Sequence, residues 1–191
     1  KEKTGPNVSS TTHFTRGDVA KGFAESAVIV QRTYTTPVVH QGYLEPRAAV
    51  ANVEPTGQLT VWTTTQALFY TRSEVAEALG LPEHQVRVIA TPLGGGFGGK
   101  FILLEPLVAA LALKLRRPVG AVMTRTEEFL AATPAPQCRI EVKTGARQDG
   151  TLTAVEGRIV FDAGAFPGAP VMIAALMLGG YYRFEHMDIK G

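Results

Sequence analysis

Every residue from position 94 to position 99 is glycine except Phe97, and Lys100 follows directly. Glycine costs conformational entropy on folding, so such a run implies positive φ angles or another group lying against bare backbone. Main-chain N–H groups in a loop of this kind could form a concave, anion-attracting surface. One reading is a phosphate-binding loop, G-x-x-x-x-G-K-S/T, which Gly94, Gly99 and Lys100 fit. The next position must be Ser or Thr to hold magnesium, and here it is Phe101. A second reading is the dinucleotide fingerprint G-x-G-x-x-G, matched by Gly94, Gly96 and Gly99. A strand-like run before it (85–89) and a helix-like run after it (106–115) suit that reading. The acidic residue expected about 20 positions further on comes late, at Glu127. The upstream segment reads as paired strands and a helix rather than the opening of a βαβ unit. A non-catalytic dinucleotide-binding module built on the loop 94–99 therefore stands as an alternative.

The other polar residues offer less chemistry. Gln66 sits where a strand becomes a helix; its amide donates a hydrogen bond without titrating, and the bland alternative is a solvated helix start. Glu45, placed before Pro46, reads as a structural hydrogen-bond acceptor. Lys100 reads as solvated or paired with Glu105. The histidines, His13, His40, His84 and His186, are scattered, with no helical spacing that would suit zinc. Cys138 is the single cysteine. It excludes an intramolecular disulfide, offers no metal cage and reads as a small packed residue.

Three stretches in order resemble one family. Residues 94–100, G-G-G-F-G-G-K, resemble the signature loop of the molybdenum hydroxylases, the xanthine dehydrogenase and aldehyde oxidase family, in their large molybdopterin-binding subunit. Residues 40–46, H-Q-G-Y-L-E-P, resemble the family's H-x-x-Y/F-L/M-E-P segment, and residues 62–66, W-T-T-T-Q, its strand-to-helix S/T-T-Q turn. Arg117-Pro118-Val119 and Thr124-Arg125-x-Glu127 also fit, so the resemblance runs from about position 17 to about position 166.

The resemblance implies a role for several residues. The Gln66 amide would donate to an oxygen on molybdenum. The backbone around Phe97 and Gly98 would approach the molybdenum ligands, with Gly96 and the other glycines letting a bulky cofactor come close. In purine-oxidising members the residue after G-G-K is a glutamate that contacts substrate. Here it is Phe101, which favours an aldehyde or an aromatic heterocycle. The cofactor would be molybdopterin, alone or as a dinucleotide form, its metal held by dithiolene sulfurs, so no protein metal ligand is expected. The family's catalytic glutamate and its F-R-G-F/Y-G loop lie C-terminal to this region. No catalytic residue is therefore assigned, and the chain is expected to be a catalytically silent fragment of the large subunit. The remainder of that subunit, with iron–sulfur (2Fe–2S) and FAD domains or subunits, would be its partners.

Elements must position these residues. The chain has 191 residues, 45% hydrophobic and 19% charged, which suits one domain with a good core. A net charge of +2 without a basic cluster gives no nucleic-acid footprint. With a single cysteine a cytoplasmic setting is the default expectation. Positions 1–10 are polar, so no signal peptide is expected there, and the apolar run 103–113 is too short for a bilayer. Residues 1–15 read as a linker and 16–191 as the domain. A helical turn is predicted at 18–23, and strands at 27–36, 48–54, 59–64, 86–90 and 118–124. Further strands at 139–143 and 152–162 flank an Asp149-Gly150 turn. Helices are predicted at 66–80, capped by Thr63 to Thr65, at 106–116, at 126–132 and at 171–178. The helix 106–116 is apolar nearly all round and is expected to be buried on most of its surface. Residues 179–191 show no closing element. The whole reads as α+β, mixed sheets of hairpins with interspersed helices.

Overall fold

The computed structural model describes residues 5–165 and 169–191. The first four residues of the expected linker, and the end of the family resemblance at position 166, lie outside them. In chain order the elements are β1 (His13–Arg16), α1 (Val19–Ala24), β2 (Val28–Thr36), β3 (Ala48–Val53), β4 (Leu59–Thr63), α2 (Leu68–Leu79), β5 (Val86–Ala90), α3 (Glu105–Leu115), β6 (Val119–Val122), α4 (Arg125–Ala131), β7 (Gln137–Ala146), β8 (Leu152–Asp162), α5 (Val171–Gly180) and β9 (His186–Lys190). They form the α+β arrangement expected, in two compact units: Lys1–Val39 with Pro136–Gly191, and His40–Ala135.

The first unit holds a five-stranded sheet in the order β1-β9-β8-β7-β2. Its long β7–β8 hairpin turns at Gly150, whose φ of +85° is the conformation that an Asp-Gly turn supplies. Val155, Ile159, Ala175, Phe184, Ile189 and Cys138 form its core. Among the described residues β2 is an edge strand, paired with β7 alone, and all nine of its residues are solvent-exposed. Two expectations change here. His13–Arg16, assigned mostly to the linker, pairs antiparallel with β9. Residues 186–190, where no element was expected, close the sheet by pairing with both β1 and β8. Their alternation is too short and too polar to stand out locally; the sheet partner on either side makes the strand.

The second unit is a four-stranded sheet in the order β5-β4-β3-β6. β3 and β4 form the expected hairpin, turning at Gly57 with φ +88°. β4 and β5 are parallel and joined through α2, so this segment is a βαβ crossover after all. Ala51, Leu59 and Val61 of the sheet pack against Val75 and Ala76 of α2 and Val108, Ala109 and Ala112 of α3. Full burial of each larger aliphatic side chain contributes about 1.5–3 kcal/mol.

α3 differs from expectation. Its stripe of Val108, Ala109 and Ala112 is buried, while Leu107, Leu111 and Leu115 are exposed. Small residues at the contact bring the helix against β3, and the leucines project from the opposite side. α2 begins at Leu68, and its N-cap position, Ala67, provides no side-chain cap. Thr65, expected among the caps, instead accepts the Ala67 N–H and meets the Thr71 hydroxyl at 2.9 Å. Gly80 ends α2 in the left-handed conformation, as its position predicts.

Candidate functional site

Because β4 and β5 run parallel, their C-terminal ends lie at the same edge of the sheet, with Thr63 opposite Ala90. The turn after β4 carries Gln66, and the loop after β5 carries the glycines. The two segments meet there. The Gln66 N–H donates to the Lys100 carbonyl at 2.8 Å. The Gln66 side-chain oxygen Oε1 accepts two loop N–H groups, from Gly98 at 3.1 Å and Lys100 at 3.0 Å. These donors fix the amide's orientation, with the carbonyl end toward the loop and the NH2 end left to donate elsewhere.

The glycines have separate reasons. A Cβ at Gly96 would lie 2.3 Å from Gln66 Oε1, so only glycine lets Gln66 pack against the loop. Gly95 and Gly98 adopt φ of +92° and +88°, and Phe97 itself is at +50°. Phe97 is 74% exposed, so within this chain it does not plug the core. Among the described residues, the N–H groups of Gly95, Gly96 and Phe97 find no acceptor, whereas those of Gly94, Gly98, Gly99 and Lys100 do. Phe101 is partly exposed and meets Tyr70 edge-to-face at 6.4 Å between ring centroids. Its carbonyl accepts from both Thr65 and Thr71 hydroxyls, at 2.8 and 3.0 Å.

The glycine loop does not open a helix. α3 starts only at Glu105, and Glu105 Oε2 accepts the Leu103 N–H at the helix entrance. A dinucleotide fingerprint needs its pyrophosphate on a helix N-terminus, so the geometry removes the support for that alternative. Among the described residues no group of His, Cys, Asp or Glu could hold a metal ion. None of the described helices is long and apolar enough to cross a membrane.

A family model described as the molybdopterin cofactor-binding domain matches residues 1–191. The chain belongs to that family, the molybdopterin-binding domain of molybdenum hydroxylase large subunits. It is 36% identical over 189 residues to a probable xanthine dehydrogenase subunit of Bacillus subtilis (strain 168), covering 97% of this chain and 25% of that protein. It is 36% identical over 161 residues to the nicotinate dehydrogenase large molybdopterin subunit of Eubacterium barkeri, covering 84% of this chain and 38% of that one. The fold is similar to the aldehyde oxidoreductase of Desulfovibrio gigas, with a TM-score of 0.88 at 26% identity over 97% of this chain and 21% of that one. It is also similar to the quinoline 2-oxidoreductase of Pseudomonas putida 86, with a TM-score of 0.81 at 35% identity over 95% of this chain and 24% of that one. The chain thus spans about a quarter of the length of the Bacillus relative.

In this molybdopterin-binding domain, sequence reasoning missed what anchors the loop. Lys100 is wholly buried. It pairs with Glu45 Oε2 at 2.8 Å, not with Glu105, and its ammonium sits 4.7 Å from the Tyr43 ring centre. Glu105 is taken up by the Thr63 hydroxyl at 2.6 Å. The same Glu45 oxygen accepts the Gly94 N–H at 2.7 Å. Desolvation pushes the Glu45 carboxyl up, but the Lys100 and Gly94 hydrogen bonds and the Lys100 charge outweigh it, and its pKa falls below the ordinary value.

Beneath this pair, Tyr43 donates to Glu128 Oε2 and Arg47 donates to the Gly99 carbonyl. Glu128 Oε1 takes the Arg47 backbone N–H, and Arg47 Nε lies 3.8 Å from Glu128 Oε2. Burial, then the hydrogen bond to Glu128, raises the Tyr43 pKa. Arg125 donates to the carbonyls of Tyr43 and Leu44, holding the segment in front of Glu45. His40 packs tilted against the Tyr43 ring and edge-to-face against Phe129. Cys138 is buried in the other unit, and burial raises its thiol pKa, as befits a packed, unreactive residue. The signal that could have flagged the anchors is the charges set beside apolar residues, Glu45, Arg47, Lys100 and Glu128, but their pairing is set by the fold.

Proposed function

We propose that the loop 94–100 and Gln66 form one wall of a molybdopterin site in an oxidoreductase of the xanthine dehydrogenase and aldehyde oxidase type. The observation that carries this reading is the orientation of Gln66. Two loop amides hold its carbonyl oxygen, so its NH2 is the end offered to a ligand. The donor set suits an oxygen-rich, anionic group: the Gln66 NH2, the unpartnered N–H groups of the segment 95–97, and glycine backbone that leaves room for close approach. At Gly98 an added Cβ would meet nothing within 4 Å, which marks open space on that side. Gln66, Gly96, Phe97 and Gly98 would hold the cofactor by hydrogen bonds and contact, with no metal ligand from the protein. When bound, the cofactor supplies two-electron oxidation with transfer of water-derived oxygen to a C–H carbon.

Phe101 would face the substrate side with an apolar ring in place of a carboxylate. An aldehyde or an aromatic heterocycle fits that surface better than a purine, which needs polar partners for its ring nitrogens. The remainder of the large subunit would complete the site and supply the acid–base chemistry. FAD and a 2Fe–2S cluster on other domains or subunits would carry the electrons away. The chain alone would then be inactive, and the parent enzyme cytoplasmic.

The test is the metal content of the full-length parent together with its hydroxylase activity on an aldehyde and on a purine. Molybdenum with aldehyde turnover is expected. Purine turnover would overturn the reading of Phe101, and a parent without molybdenum would overturn the whole. Turnover by the purified 191-residue chain with an added electron acceptor would refute its inactivity.

A further inference from the structure

We infer that Lys100 is a positioning residue, which latches the glycine loop onto Glu45 and so fixes the direction in which Gln66 and the loop amides point. The inference rests on the site reading above. A buried ammonium is costly unless it is paired and hydrogen-bonded. Lys100 is 0% exposed, and no step of the proposed chemistry uses its charge. Its three polar groups all serve the loop. The N–H donates to Gln66 Oε1 at 3.0 Å, the carbonyl accepts the Gln66 N–H at 2.8 Å, and Nζ donates to Glu45 Oε2 at 2.8 Å.

Glu45 Oε2 closes the arrangement. That single oxygen also takes the N–H of Gly94, so one carboxylate holds the first and last residues of G-G-G-F-G-G-K. The Tyr43 ring covers the ammonium at 4.7 Å, excluding water and supplying a cation–π contact. With both ends pinned, the intervening glycines have little freedom left, although their sequence would permit many conformations. Gln66 is tied to the same residue by its own main chain and side chain. A shift of Lys100 therefore moves the Gln66 amide as well as the loop.

A purely structural role would look different. If the pair served only charge balance, replacing both partners by neutral groups should restore everything, since such replacements are often neutral for stability. The test uses the full-length, cofactor-loaded enzyme with Lys100→Met, Glu45→Gln, the double variant of these two, Glu45→Ala and Gln66→Ala. Three readouts apply: deuterium exchange of the peptide covering residues 94–100, the Mo(V) electron paramagnetic resonance spectrum, and kcat and KM separately.

Lys100→Met is expected to speed exchange in that peptide and alter the Mo(V) spectrum. It should lower kcat by about 100-fold, the scale of an ångström-level misplacement, with little change in KM. The double variant should regain thermal stability yet keep the fast exchange and the low kcat. If the double variant recovers wild-type exchange and kcat, Lys100 only balances charge and the inference is overturned. Should Lys100→Met fail to fold, Glu45→Ala carries the test, because it removes the acceptor shared by Lys100 and Gly94 and leaves Lys100 in place. Wild-type exchange in that variant also overturns the inference. If Gln66→Ala leaves the Mo(V) spectrum and kcat unchanged, the cofactor-facing role of Gln66 is wrong. The exchange data then still decide whether Lys100 orders the loop.

Discussion

Tyr43 gives its hydroxyl hydrogen bond to Glu128 Oε2 at 2.6 Å, although the two residues lie 85 positions apart. Glu128 is wholly buried, so this donor, the Arg47 N–H and the Arg47 guanidinium 3.8 Å away together make its charge tolerable. Tyr43→Phe keeps the ring over Lys100 and deletes only the hydroxyl. A hydrogen bond to a charged group contributes about 1.5–3 kcal/mol, and the variant should lose roughly that much. Urea unfolding of the chain measures it. An unchanged midpoint would mean that Arg47 alone satisfies Glu128.

Gly96 and Gly98 should respond to alanine in different ways. At Gly96 the new methyl would strike Gln66 Oε1 at 2.3 Å and force the amide away from the loop. At Gly98 it meets open space but must be carried at φ +88°, a strain of about 1–2 kcal/mol for an L-residue. Gly96→Ala should therefore abolish molybdenum retention in the parent enzyme, while Gly98→Ala, whose methyl enters the open space assigned to the cofactor, should retain part of the molybdenum and show a lower melting temperature. Metal analysis beside calorimetry separates the two effects. Equal metal content in both variants would contradict the steric argument.

Phe101→Glu tests the proposed substrate preference. The ring is 43% exposed, so a carboxylate there stays partly hydrated and should not unfold the domain. The ratio of kcat/KM for a purine to that for an aldehyde should rise, because a charged acceptor replaces an apolar surface. A ratio that stays put would show that Phe101 does not touch substrate.

The Glu45–Lys100 pair should loosen in acid and not near neutrality. The Glu45 pKa is lowered in the folded chain, so its contribution to stability is complete above the ordinary carboxylate value. It is lost as pH falls through the lowered folded-state value. Exchange of the loop amides, corrected for its intrinsic pH dependence, should stay slow from neutral to mildly acidic solution and accelerate only below the usual carboxylate range. Glu45→Gln should remove that acid transition. Loosening centred at about pH 6–7 would contradict the assignment of the transition to Glu45.

Much of this domain was legible one segment at a time. Asp149-Gly150, Gly57 and Gly80 each announced a turn or a helix end through a backbone conformation that few other residues accept. The run G-G-G-F-G-G-K marked the loop for the same reason. What stayed hidden was pairing between distant segments. Residues 186–190 become a strand only because β1 and β8 flank them. Lys100 looked free to choose Glu105, five positions on, yet Glu105 is engaged by Thr63 and the Leu103 N–H while Glu45 approaches from another segment. Buried charges choose partners by fold geometry, which spacing along the chain does not encode. The exposed leucines of α3 failed for a related reason: composition gives the number of apolar residues, while the small residues at the contact decide which side faces in.

The parallel pairing of β4 with β5 also constrains the order of folding. The β3–β4 hairpin can form from neighbouring residues, but β5 must wait for α2 to bring the chain back, a closure whose entropy is spent before any contact rewards it. Gln66 and Lys100 meet only after that closure. The wall they build is thus a late product of folding, and a bulky prosthetic group would find its cradle only in a nearly finished domain. Pulse-labelling during refolding should show the amides of Gly98 and Lys100 among the last to become protected.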